Sequence, residues 1–136
     1  MLQSCQKGAD RVNKSEFEAH TAETYGITAD HPFMKYPDVT VFRHPENGKW
    51  FAAIMTISKN KLILSAKGSI DIVNVKCPSE ILPSFLSERG IYPAYHMNKN
   101  HWLTLALDGS ADNEKIRFLL DLSYALTAPK KKSKIF

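Results

Sequence analysis

Residues 92–102 read YPAYHMNKNHW and gather three aromatics, two histidines, two asparagines and a lysine into eleven positions. Such types support metal ligation, general acid–base work, nucleic-acid contact or a dense set of turn hydrogen bonds. Metal fits worst. His96 and His101 are five apart with no thiol beside them, whereas zinc ligands on one helix sit near i, i+4 and zinc fingers pair histidine with nearby cysteine. No metal site is expected. Tyr95, His96 and Lys99 are able acids or bases, but no paired carboxylate lies near them in sequence, and Asp108 reaches His101 only through the fold. Elsewhere the chain has no P-loop, no GxGxxG after a strand, no GxSxG and no HExxH. SAKGS (65–69) lacks the glycine spacing that cradles phosphate and reads as a turn. No enzymatic activity and no cofactor are expected. An enzyme with a site around His96–Trp102 stands as an alternative, beside a protein-interaction module. The reading the residues favour for 92–102 is a hydrogen-bonded corner. Asn98 and Asn100 suit Asx turns, and His101 suits an orphan backbone group.

That corner must be held by the elements around it. SEILPSFLSERG (79–90) reads as a short helix ending at Gly90, with Pro83 confined to its first turn. HWLTLALDG (101–109) alternates, placing Leu103, Leu105 and Leu107 on one face of a strand. ADNEKIRFLLDLSYALT (111–127) has helical spacing, a stripe of Ile116, Leu119, Leu120 and Leu126, and a stop at Pro129. Upstream, SEFEAHTAETYG predicts a helix opened by a Ser15–Glu18 capping box and closed at Gly26. Between lies a predicted four-strand antiparallel meander from about Asp38 to Cys77: DVTVFRH, KWFAAIMTIS, LILSA and SIDIVNVKC. Asn47-Gly48 turns the first hairpin and SKNK the second. Within the last of these strands, Ile70 and Ile72 face one way, Val73 and Val75 the other. The class is α+β in two layers: an N-terminal helix, an antiparallel sheet of about four to five strands, and C-terminal helices packed on it. The 136 residues form one domain, with flexible ends expected at 1–14 and 129–136.

Charge locates the expected partner surface better than motifs do. The net charge is +4, and the four lysines of KKKSK (130–134) account for all of it. Residues 35–76 nevertheless hold seven basic against three acidic side chains, and each flank of the body is mildly acidic. A basic middle favours a polyanion such as DNA, since each neutralised phosphate releases counterions. Arg43, Lys49, Lys59, Lys61 and Lys67 are the expected nucleic-acid contacts, with Trp50 either stacking on a base or packed in the core. The lysine tail adds either nonspecific attraction or a plain solvated terminus. No apolar run approaches the roughly 20 residues of a membrane span, and residues 1–16 carry no signal-peptide stretch. A cytoplasmic monomer with Cys5 and Cys77 reduced is expected.

PAYHMNKNHWLTLALDG (93–109) resembles the signature of the MmcQ/YjbR family, and LLDLSYALT (119–127) resembles its closing segment. KYPDVTVFRHPENGKWFAAIM (35–55) and IDIVNVKC (70–77) are similar to its strands, so the resemblance runs from about Lys35 to Thr127. It implies a frataxin/CyaY-like α+β fold with two hairpin "wings", a bacterial cytoplasmic setting, DNA binding through basic wings, and no established enzymatic activity or cofactor. Tyr95, His96, Asn98, Lys99, His101 and Trp102 carry the motif. The acidic ridge with which frataxins bind iron is not matched by Glu16, Glu18 and Glu23, and iron binding is not carried over.

Overall fold

Strand propensity is concentrated in 40–76, and a computed structural model places three strands there rather than four. It describes residues 13–36, 38–63 and 65–129; the expected flexible ends, Cys5 and the lysine tail fall outside them apart from Asn13, Lys14 and Pro129. The elements are α1 (Lys14–Tyr25), β1 (Thr40–Arg43), β2 (Trp50–Ser58), a 3-10 turn (Lys59–Lys61), β3 (Ser69–Lys76), α2 (Leu82–Phe85), β4 (Ile91–Pro93), β5 (Trp102–Ala106) and α3 (Asn113–Thr127). One antiparallel sheet has the order β1-β2-β3-β5-β4.

The described residues of LILSA, 62–63 and 65–66, form no strand; Leu64 lies outside the described residues. β2 already has β1 on one side and pairs directly with β3 on the other, from Ala52↔Val75 to Ser58↔Ser69. Lys59 N–H donates to Gly68 C=O at 2.9 Å and closes the connection, so no place beside β2 is left. The chain coils there instead, with Ser65 at φ +71°. β4 is an element the sequence pattern did not announce. Three residues are too few to show alternation.

Helix signals were better, though shifted. Asn13, not Ser15, caps α1: its side chain accepts from Glu16 N–H at 2.8 Å, and Glu16 answers as the capping-box partner. Gly26 ends the helix at φ +64° as expected. α2 is a single turn with Pro83 at its start. In α3 the buried stripe is Ile116, Leu119, Leu120, Ser123 and Thr127, while Leu126 is 43% exposed. Positions 116, 120, 123 and 127 keep one face at helical spacing, which turns 126 outward.

The sheet has two unlike faces. Ile54, Val73, Val75, Leu103 and Leu105 join Phe17, Leu119 and Leu120 in the main core under α1 and α3. Ile57, Ile70, Ile72 and Ala106 lie on the opposite face, away from α1 and α3 and with no described helix against it. The pairing of β1 with β2 skips Phe51 (Phe42↔Ala52, then Arg43↔Trp50), a bulge that turns Phe51 as well as Ala52 into the main core. The spared Phe51 carbonyl accepts from Ser123 Oγ at 2.7 Å, and the same hydroxyl accepts from Lys76 N–H at 2.8 Å. One buried serine therefore fastens α3 to β2 and β3.

The first hairpin is similarly tied down. His44 Nε2 lies 2.9 Å from Thr127 Oγ1 and 3.1 Å from Tyr124 C=O. Thr127 spends its own hydrogen on Ser123 C=O at 2.8 Å, which requires His44 to carry the proton on Nε2. Asn47 Nδ2 donates to Thr127 C=O at 3.0 Å. The 44–49 turn is thus docked against the end of α3. Beside it Tyr25 stacks on Tyr124 and donates to Asp121. Burial, with the neighbouring Asp121 carboxylate, pushes the Tyr25 phenol well above its ordinary value of 10.0. A raised folded value means stability present below about pH 10 and lost as the pH rises beyond it. The stability of the wild type in equilibrium unfolding is therefore expected to fall from about pH 10 upward, and Tyr25→Phe to remove that share of the alkaline loss. Identical alkaline slopes in the two proteins would contradict this.

Candidate functional site

On the face of the sheet opposite α1 and α3 two loops rise and leave a groove of about 780 Å³ between them. Its floor is Ala53, Met55 and Ile57 of β2 with Asn74 of β3. One wall is Phe33, Tyr36 and Trp50; the other is Tyr95, His96 and Met97. Alternation explains the floor: residues 53, 55 and 57 point away from Ala52 and Ile54, which face the helices.

The first wall is set by the segment before β1. Asp30 and Val41 exchange both backbone hydrogen bonds, at 2.9 and 2.8 Å, so this segment runs along the outside of β1. Arg43 pairs with Asp30 at 2.6 Å, and Lys14 Nζ donates to Asp38 C=O at 3.1 Å. Phe33 meets the Trp50 ring edge-on, centroids 5.9 Å apart. Met34 and Tyr36 stand out at 95% and 63% exposure.

The second wall is the corner that the sequence singled out. Asn74 Nδ2 donates to Tyr95 C=O at 3.0 Å, Tyr95 N–H donates to Thr104 Oγ1 at 2.8 Å, and Thr104 Oγ1 donates to Asn74 Oδ1. This closed circuit bolts the loop to β3 and β5. Asn98 makes the expected Asx turn, accepting from Asn100 N–H at 2.9 Å, and its carbonyl accepts from His101 and Trp102 N–H. Lys99 Nζ donates to Ala94 C=O at 2.9 Å. His101 uses its backbone: its carbonyl accepts from Cys77 N–H at 2.8 Å. His96 sits at φ +59° in the left-handed region with its ring 4.0 Å from that of Tyr95. A non-glycine residue there is strained, and such strain collects at ligand sites.

The structure thus divides the motif residues. Tyr95 and His96 line the groove, Asn98 and Lys99 shape the loop behind it, and His101 is exposed. His96, Lys99 and His101 do not converge on one cavity. Among the described residues no group of three or more His, Cys, Asp or Glu is placed to hold a metal ion. Cys77 is a free buried thiol. The expected cationic contacts also separate. Lys49 lies at the start of β2, and Lys59, Lys61 and Lys67 at its far end, about 27 Å away by the rise of a nine-residue strand. Arg43 is spent in part on Asp30, and Lys59 lies close enough to Asp108 to help lower its pKa: burial pushes that carboxyl up, while Ser110, its own backbone N–H and Lys59 outweigh it. Lys61 alone of the five lines the groove. Trp50, half-buried, belongs to the groove rather than the core.

Phe33, Tyr36, Met55, Met97, Asn74 and Thr104 were not anticipated. For Asn74 a signal existed, a single amide between two valines in an apolar strand (VNV, 73–75). The walls themselves come from segments some 60 positions apart.

The YjbR family model matches residues 22–126. The uncharacterized protein YyaQ of Bacillus subtilis (strain 168) is 37% identical over 116 residues, covering 85% of this chain and 98% of that protein. The uncharacterized protein YjbR of Escherichia coli (strain K12) is 47% identical over 34 residues, 25% of this chain and 29% of that one. A crystal structure of a Pseudomonas syringae protein superposes with a TM-score of 0.82 at 38% identity, covering 85% of this chain and 99% of that chain. A Deinococcus radiodurans protein shares the fold at a TM-score of 0.64 and 22% identity, covering 92% of this chain and 85% of that one.

Proposed function

The chain belongs to the YjbR family, and from that premise we propose that it is a DNA-binding module that takes its ligand on the face of the sheet opposite α1 and α3. The observation that carries this reading is the aromatic-walled groove with Lys61 in its lining, Lys35 between the exposed Met34 and Tyr36, and Lys59 and Lys67 at the same end of β2 as Lys61. Aromatic faces with lysines beside them are the pairing used to hold nucleic acid without strict sequence choice: phosphates meet the ammonium groups and bases meet the rings. The protein works as a monomer in the cytoplasm, with no cofactor and no catalytic chemistry of its own. No helix among the described residues is long and apolar enough to cross a membrane.

Titration of labelled DNA across a salt series tests this. Four lysines neutralising four phosphates of a duplex give a log–log slope near −3.6, so affinity falls roughly 150-fold between 50 and 200 mM salt. Lys59→Glu/Lys61→Glu is expected to halve that slope at least. Absence of binding at 50 mM salt would overturn the reading.

A further inference from the structure

We infer that the groove receives an unpaired base, so that the protein prefers single-stranded to duplex nucleic acid; this deepens the proposed function and rests on it. A duplex offers a flat apolar surface only inside its stack. Its outside is phosphate, sugar and base edge, and pressing those against Ala53, Met55 and Ile57 would bury polar groups with no partner. A single strand can turn a base inward and lay its face against rings.

The groove has the polarity that a nucleotide requires. Trp50 and Phe33 form an aromatic end. Asp38 precedes Thr40, the partner of Ile54, by two positions, which brings it level with the last residues of β2, where Lys61 and Ser58 also line the groove. The base therefore seats toward Trp50, and its phosphate lies toward Lys61. Tyr36 and His96 stand on opposite walls of the groove. The volume of about 780 Å³ lies within the range of pre-formed ligand sites. The charge at the groove selects the strand over an apolar peptide: Lys35 and Lys61 stand against Asp38. The wall is also pre-organised. The Asn74–Tyr95–Thr104 circuit and the left-handed His96 fix it before any ligand arrives.

The test compares full-chain binding of a labelled oligothymidylate with that of a duplex of equal length at 50 mM salt. The wild type is expected to bind the single strand more tightly by about 10-fold or more, in line with one to two stacked bases. Tyr36→Ala changes an exposed ring and leaves the fold intact, yet is expected to weaken single-strand binding roughly 5- to 150-fold and duplex binding by a smaller factor. His96→Gly relieves the left-handed backbone, so its melting temperature stays near or above that of the wild type while single-strand affinity falls. Equal affinity for strand and duplex, with both variants silent, would overturn the inference and leave the DNA reading standing. Binding of neither would overturn both.

Discussion

Asn74→Val is expected to destabilise the fold by about 2–4 kcal/mol and to abolish whatever the groove binds. Asn74 is fully buried, and its amide serves two groups: it donates to Tyr95 C=O at 3.0 Å and accepts from the Thr104 hydroxyl. Valine fits the strand but leaves that carbonyl and that hydroxyl without their partner beneath the loop. Each loss is worth about 1–3 kcal/mol. Thr104→Val alone should cost a comparable amount, because Tyr95 N–H then loses its acceptor. The double variant is the sharper measurement. With both side chains apolar the hydroxyl and amide are no longer orphaned, so its cost should fall below the sum of the singles by roughly 1 kcal/mol or more. Simple additivity in urea unfolding would mean that the circuit is not one unit. The loop from Ala94 to Met97 should loosen in parallel, seen as faster amide exchange at Tyr95.

Gly90→Ala is expected to cost at least about 3 kcal/mol, by a different route. Gly90 has φ +80°, and a Cβ built there falls 2.6 Å from Ala111 N and 2.7 Å from Ala111 Cα. Those are backbone atoms and cannot swing aside. Nor can Gly90 withdraw, since its carbonyl accepts from Ala106 N–H at 2.8 Å. Gly48→Ala supplies the control: its φ is +72°, but nothing lies within 4 Å of the added carbon. That substitution should cost only the left-handed penalty, about 1–2 kcal/mol. Comparable midpoints for the two variants in denaturant would mean that the contact with Ala111 yields.

The contrast between these two sites parallels what could be read in the sequence. Gly26, Gly48 and Gly90 were legible as chain-turning positions because glycine at a helix end or a hairpin has a local reason. The same holds for Ile70 and Ile72 against Val73 and Val75, and for Leu103, Leu105 and Leu107, where period-two alternation states the two faces directly. What failed was decided by partners distant in sequence. LILSA has strand composition but no free strand to pair with. Leu126 keeps a helical interval yet loses the inward place to Thr127, which His44 holds. The groove was the least legible part. YPAYHMNKNHW supplied one wall and was rightly read as a corner, but the facing wall comes from residues 33–36 and 50, brought opposite only because β3 lies between β2 and β5. Charge counting along the chain likewise merged lysines that the nine residues of β2 hold apart.

The two margins of the sheet bear on behaviour at high concentration. Along β1, Asp30 takes both outward backbone groups of Val41, and Pro32, which has no N–H, follows two residues later. At the opposite margin β4 is three residues long and ends in Pro93. Among the described residues neither border offers a run of free donors and acceptors on which a second chain could build. A sheet sealed this way resists fibril growth and strand exchange, so crowding should drive the molecule toward contacts through its broad face and not toward end-to-end stacking of strands.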